Sequence, residues 1–164
     1  NFMRTPGSGA RVGGKNFATM GQLMGEDALK IFVGDVVCLN ERATQLSFKH
    51  SIECKFYATQ DNFVSLANCK ANVFKWFEEA ADDAAKVDKD PLLIFKWNHT
   101  PIFAALDAST SKQSRQLELR NITPCFTLTR YVDQGEVTRV ERVLDIYELD
   151  TLLAAPAFWY ELAP

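Results

Sequence analysis

The chain has 164 residues, of which 47% are hydrophobic and 12% aromatic, a composition that excludes a disordered polypeptide and suits one domain with a real core. A formal net charge of −3 does not advertise nucleic-acid binding, and no apolar run approaches the ~20 residues that span a membrane. The four cysteines, Cys38, Cys54, Cys69 and Cys125, lack Cys-x-x-Cys spacing and paired histidines, which argues against a zinc site and for free thiols in a reducing, intracellular, cytoplasmic setting.

The opening residues carry no long apolar region behind a basic one, so no signal peptide is read there. Asn1 to Thr5 is expected to form a short strand, and Pro6-Gly7-Ser8-Gly9 a turn. Residues 10–22 hold three glycines and read as an exposed loop. Gln22 to Phe32 is expected as a short helix, Val33 to Leu39 as a strand, and Ser47 to Tyr57 as a second strand antiparallel to it, with Cys38 and Cys54 buried. Asp61 is the expected N-cap of a long helix whose apolar positions Phe63, Leu66, Val73, Phe77, Ala80 and Ala84 recur at helical spacing. Its acids Glu78, Glu79, Asp82 and Asp83 are expected on a solvated face, and Asp90-Pro91 is expected to stop it. Leu92 to Trp97 reads as a buried strand, which a turn at Asn98-His99-Thr100 joins to Ile102–Leu106 as a hairpin. After a polar loop over 107–121 come strands at Cys125–Val132 and Val137–Arg142, then a short helix at Tyr147–Ala154. The order strands, long helix, strands predicts an α/β sandwich with a mixed central β-sheet flanked by helices, in one domain over 1–164.

The densest chemistry lies at Asp35 and at Glu53-Cys54-Lys55. Side chains two apart in a strand share a face, so Glu53 and Lys55 project together. With Asp35 on the neighbouring strand they make a cation site beside an ammonium, which is what metal-dependent phosphodiester cleavage needs. The same residues could instead form a surface ion pair of ~0–1 kcal/mol with a turn acid nearby. Residues 1–60 carry seven Lys/Arg against five acids, so neutralising Asp35 and Glu53 with a cation leaves this third clearly basic, as befits contact with phosphate.

Together with Arg4-Thr5-Pro6-Gly7-Ser8-Gly9 upstream, these residues resemble the PD-(D/E)XK nuclease superfamily, and more narrowly its archaeal and phage Holliday junction resolvases. In that group Arg-x-Pro-x-Ser-Gly precedes the acidic strand and an Ile-Glu-x-Lys strand follows. Pro91-Leu92-Leu93-Ile94-Phe95-Lys96 is similar to the strand after the family's long helix, so the resemblance covers residues 2 to about 106, the core being 1–106 and residues 107–164 an addition. It implies a restriction-endonuclease-like fold and a DNA endonuclease that resolves Holliday junctions, its substrate branched four-way DNA, from a phage acting in its host's cytoplasm. It further implies Mg²⁺ or Mn²⁺ held by Asp35, Glu53 and the Cys54 backbone carbonyl. Lys55 would orient the attacking water, Ser8 would touch the phosphate at the cut, and Arg4, Arg11 and Lys15 would hold backbone phosphates. Cutting two strands symmetrically implies a homodimer. The family's Pro before Asp is Gly34 here. Resolvases of this type also carry a metal-ligating Glu on a helix before the first strand, which puts that acid upstream of Asn1 or at Glu26. A nuclease for another DNA structure and a catalytically silent DNA-binding module are the competing readings.

Gly9 to Asn16 approaches the phosphate-loop pattern Gly-x4-Gly-Lys-[Ser/Thr] but has Asn16 where the hydroxyl is required. His50 reads as a surface strand residue, with an approach to substrate phosphate as its functional reading. Two histidines support no Ser-His-Asp arrangement. Trp76 and Trp97 read as core, and Phe158-Trp159-Tyr160 as an exposed-looking aromatic tail that docks back on the domain or on a second subunit.

Overall fold

The computed structural model describes residues 2–4, 34–38, 46–58, 71–110, 119, 122–133, 135 and 138–162. Its elements in chain order begin with β1 (Phe2–Arg4), β2 (Val36–Cys38), β3 (Leu46–Phe48), β4 (His50–Tyr57) and α1 (Asn72–Ala85). They continue with β5 (Asp90–Trp97), β6 (Phe103–Asp107), β7 (Phe126–Asp133), β8 (Thr138–Glu148), α2 (Leu149–Leu153), α3 (Pro156–Trp159) and β9 (Tyr160–Leu162). A seven-stranded sheet runs β1-β2-β4-β5-β6-β8-β7, and β3 pairs with β9 in a small second sheet. β4 and β5 are parallel, while the other described pairings are antiparallel, so the sheet is mixed as expected.

Parallel neighbours need a crossover, and α1 supplies it between β4 and β5. Val73, Phe74, Trp76, Phe77, Ala80 and Ala84 fall on one stripe of α1 and are all buried. Val73, Phe74, Trp76 and Phe77 of this stripe pack with Leu93, Phe95 and Trp97 of β5 and with Ala105, Leu144 and Ile146. The opposite sheet face is covered by the C-terminal segment: Ile52, Leu92, Ala104 and Tyr147 pack with Leu152, Phe158 and Trp159. β5 therefore has helical cover on both sides, which is why Leu92 and Leu93 are both fully buried and why its sequence is nearly continuously apolar.

Several boundaries differ from expectation. The described helix begins at Asn72 with Ala71 in the cap position and no side-chain cap, not at Asp61, which lies outside the described residues along with Phe63 and Leu66. It ends at Ala85, and Asp90-Pro91 opens β5 rather than stopping the helix, because Asp88 at φ 53° has already turned the chain. Ser47–Tyr57 is two strands with a break at Lys49, whose N–H donates to the Trp159 carbonyl at 3.0 Å. β8 runs on to Glu148, so Tyr147 is strand and the helix starts at Leu149. The aromatic tail docks back on the domain, the first of its two expected placements, and is not exposed at Phe158-Trp159: Phe158 is fully buried, and the Trp159 indole N–H donates to the Leu152 carbonyl at 2.9 Å. The expected helix over Gln22–Phe32 lies outside the described residues.

Candidate active site

β2 and β4 meet where Gly34 crosses β4. A Cβ at Gly34 would sit 2.8 Å from the Ile52 carbonyl oxygen and 3.0 Å from its nitrogen, and the backbone there has φ +90°, so this position requires glycine. Close approach lets the Asp35 N–H donate to the Ile52 carbonyl at 2.6 Å. The Asp35 side chain then turns inward, 7% exposed, and its Oδ2 accepts the Cys54 N–H at 2.9 Å. In an extended strand the N–H and C=O of one residue point the same way. The Cys54 carbonyl consequently faces the same edge of β4 as Asp35.

Strand alternation sends Glu53, Lys55 and Tyr57 to the α1 side of the sheet. Tyr57 stacks on Trp76 of α1, with ring centroids 4.6 Å apart. Lys55 Nζ lies 2.8 Å from Glu53 Oε1 and 2.9 Å from Glu79 Oε2 on α1. Burial pushes the Glu53 carboxyl above its ordinary value; the hydrogen bond from Lys55 opposes this, and the negative charge of Asp35 adds to it. Burial alone would lower the Lys55 ammonium, but the hydrogen bonds to Glu53 and Glu79 outweigh it and hold the amine protonated, above its ordinary range. Lys55 is thus a fixed cation and hydrogen-bond donor, not a base.

Asp35 and Lys55 line one cavity of about 430 Å³, together with Cys54, Phe56, Lys96 and Ile102. The negative charge of Asp35 disfavours ionisation of Glu53, the arrangement that a divalent cation relieves. Both offer hard oxygen donors, and a carboxylate that accepts one N–H keeps capacity for a cation. Among the described residues no three His, Cys, Asp or Glu side chains gather as metal ligands. The donor set fits a two-carboxylate site completed by a backbone carbonyl and water.

Asp35, Glu53, Cys54 and Lys55, expected together from sequence, are thus brought together. Arg4 pairs with Val36, the residue after Asp35. Ser8, Arg11, Lys15 and Glu26 lie outside the described residues. Two expectations are corrected. His50 is buried, not on the surface, and its Nε2–H donates to the Phe158 carbonyl at 2.9 Å, so it faces the C-terminal segment and no phosphate. The Cys54 side chain is exposed, not buried: it lies on the sheet face opposite α1 where the cavity opens. Glu79 was expected on a solvated face; its contact with Lys55 depends on how α1 docks, and no spacing in the chain marks it.

An acid at a strand fork, Glu-x-Lys on the adjacent strand and a crossover helix onto a parallel neighbour define a PD-(D/E)XK-type nuclease core. The chain belongs to the family described as "phage putative PDDEXK endonuclease", whose model matches residues 1–154. Comparison with curated proteins and with solved structures finds no match.

Proposed function

We propose that this protein is a divalent-metal-dependent endonuclease for branched DNA, with the four-way junction as its substrate and a homodimer as its working form. The observation that carries the catalytic reading is the hydrogen bond from the Cys54 N–H to Asp35 Oδ2, which fixes the acid of one strand against the Glu-x-Lys of the next. Asp35, Glu53 and the Cys54 carbonyl would hold Mg²⁺ or Mn²⁺. Such an ion, when bound, lowers the pKa of a water and polarises the scissile phosphate. Lys55, held protonated, donates a hydrogen bond to the attacking water or to the non-bridging oxygens as negative charge builds on phosphorus. Attack would form a bond from the water oxygen to phosphorus and break the bond to the leaving oxygen, the water's proton passing to solvent and the leaving oxygen taking one from solvent. Arg4, Ser8, Arg11 and Lys15 would supply contacts to the backbone, which set register without reading sequence. Junction preference and the dimer are supported by the likeness of Arg4 to Gly9 and of Ile52 to Lys55 to the resolvase motifs.

The test is cleavage of a four-way junction in competition with a flap and a linear duplex, with Mg²⁺ or Mn²⁺. Asp35→Ala and Glu53→Ala should each abolish cutting while DNA binding is largely kept. Retained cutting in either variant sinks the site; preference for the flap or the duplex sinks the junction reading alone.

A further inference from the structure

Resting on the nuclease reading, the cavity beside Asp35 points to a second feature of the substrate. Phe56 follows Lys55 directly and faces the other side of the sheet, 65% exposed. Ile102, 43% exposed, lines the same cavity. Lys96 pairs with Phe56 across β4 and β5, so their side chains share a face, and both residues line the cavity. A volume of about 430 Å³ falls within the ~300–1,000 Å³ of sites that enclose a small organic ligand. Its lining combines an exposed aromatic residue, an aliphatic one and Lys96, and it is continuous with the Asp35 fork. A duplex presents only phosphates and sugars to such a fork, since its bases are stacked away from the backbone. An aromatic residue with a lysine on the same sheet face suits a base that has left the stack, together with its phosphate.

We propose that Phe56, Ile102 and Lys96 form a subsite for one unstacked nucleotide next to the scissile phosphate, the base lying on Phe56 and the phosphate on Lys96. The enzyme then acts on DNA with an unpaired or unstacked nucleotide at the cut, as at a branch point, and not on continuous duplex. Base–aromatic stacking makes an approximately tenfold affinity change the expected scale of losing the ring.

The experiment places 2-aminopurine at the branch of a junction or flap and measures its fluorescence and the Kd without divalent metal, so that nothing is cut. Wild type should change the probe's fluorescence on branched DNA. Phe56→Ala should lose that change and bind branched DNA about tenfold more weakly while binding continuous duplex as wild type does, and Phe56→Trp should restore both. Lys96→Ala should weaken branched-DNA binding and reduce its salt dependence by about one phosphate contact. Phe56 is exposed, so its loss should leave the melting temperature unchanged. Unchanged affinity and fluorescence in Phe56→Ala, with wild type still cutting DNA, overturns the subsite and leaves the nuclease reading standing. An equal loss on duplex and branched DNA overturns it too, as does a variant whose only change is failure to self-associate in sedimentation, which makes Phe56 a contact between copies. A wild type that neither binds nor cuts any DNA overturns the nuclease reading along with it.

Discussion

Lys55 sits between two carboxylates from different elements, Glu53 on its own strand and Glu79 on α1. In the proposed mechanism a cation drawn to Glu53 would compete with Lys55 for that carboxylate, and Glu79 would remain to hold the ammonium in place. Glu79→Gln should therefore lower kcat about 10- to 100-fold with KM nearly unchanged, because misplacing a catalytic group costs on that scale. Glu79→Asp should recover part of the loss. Equal single-turnover rates for wild type and Glu79→Gln would make the contact a surface ion pair worth little. Gly34 is the other residue on which the site depends. Gly34→Ala puts a methyl against the Ile52 backbone at a left-handed φ, so urea denaturation should show a loss of at least about 1–3 kcal/mol. A midpoint equal to wild type would mean that the fork can open without cost. Glu53 and Lys55 were legible as a pair because strand alternation is local. Glu79 was not, because the same helical period that marks it as solvent-facing also suits a residue that reaches over the edge of a docked helix.

At the scale of elements, the two faces of the central sheet are closed by different means. α1 covers one with a stripe of large side chains, and its spacing was readable in the chain. The other is covered by α2, α3 and the β3–β9 pair, which are too short to show a period. There Phe48 and Trp159 stack nearly parallel at 6.2 Å between ring centroids, and His50 stacks on Phe158 at 4.5 Å. Phe158→Ala empties a fully buried site and should cost about 3–5 kcal/mol by chemical denaturation. A loss under about 1 kcal/mol would mean that the C-terminal segment is not part of the core.

For the whole molecule, charge makes stability depend on pH and on metal. Burial raises Glu53 above 4.5 and Asp90 above 3.8, the Asp35 charge adding to the first and Lys49 opposing the second. The folded state thus binds these protons more tightly than the unfolded chain. Their contribution is present below the ordinary values and is lost as pH rises through the raised ones. Melting in EDTA between about pH 4 and 8 should show this loss, and Glu53→Gln with Asp90→Asn should flatten it. Mg²⁺ or Mn²⁺ at neutral pH should restore stability in wild type, by about 2.7 kcal/mol at 100 times Kd, and not in Glu53→Gln. A metal response that survives Glu53→Gln would place the cation elsewhere.

What the chain determined by itself was periodic or contiguous. The Glu-x-Lys face, the apolar stripe of α1, the buried run of β5 and the turn at Asn98–Thr100 each follow from neighbours within a few residues. The tertiary structure decided what depends on distant partners. Gly34 meets Ile52, Lys49 pairs with Trp159, His50 turns inward to Phe158, and Glu79 reaches Lys55. Each of these joins residues brought together only when elements dock, and docking is set by the summed burial of both sheet faces rather than by any local pattern.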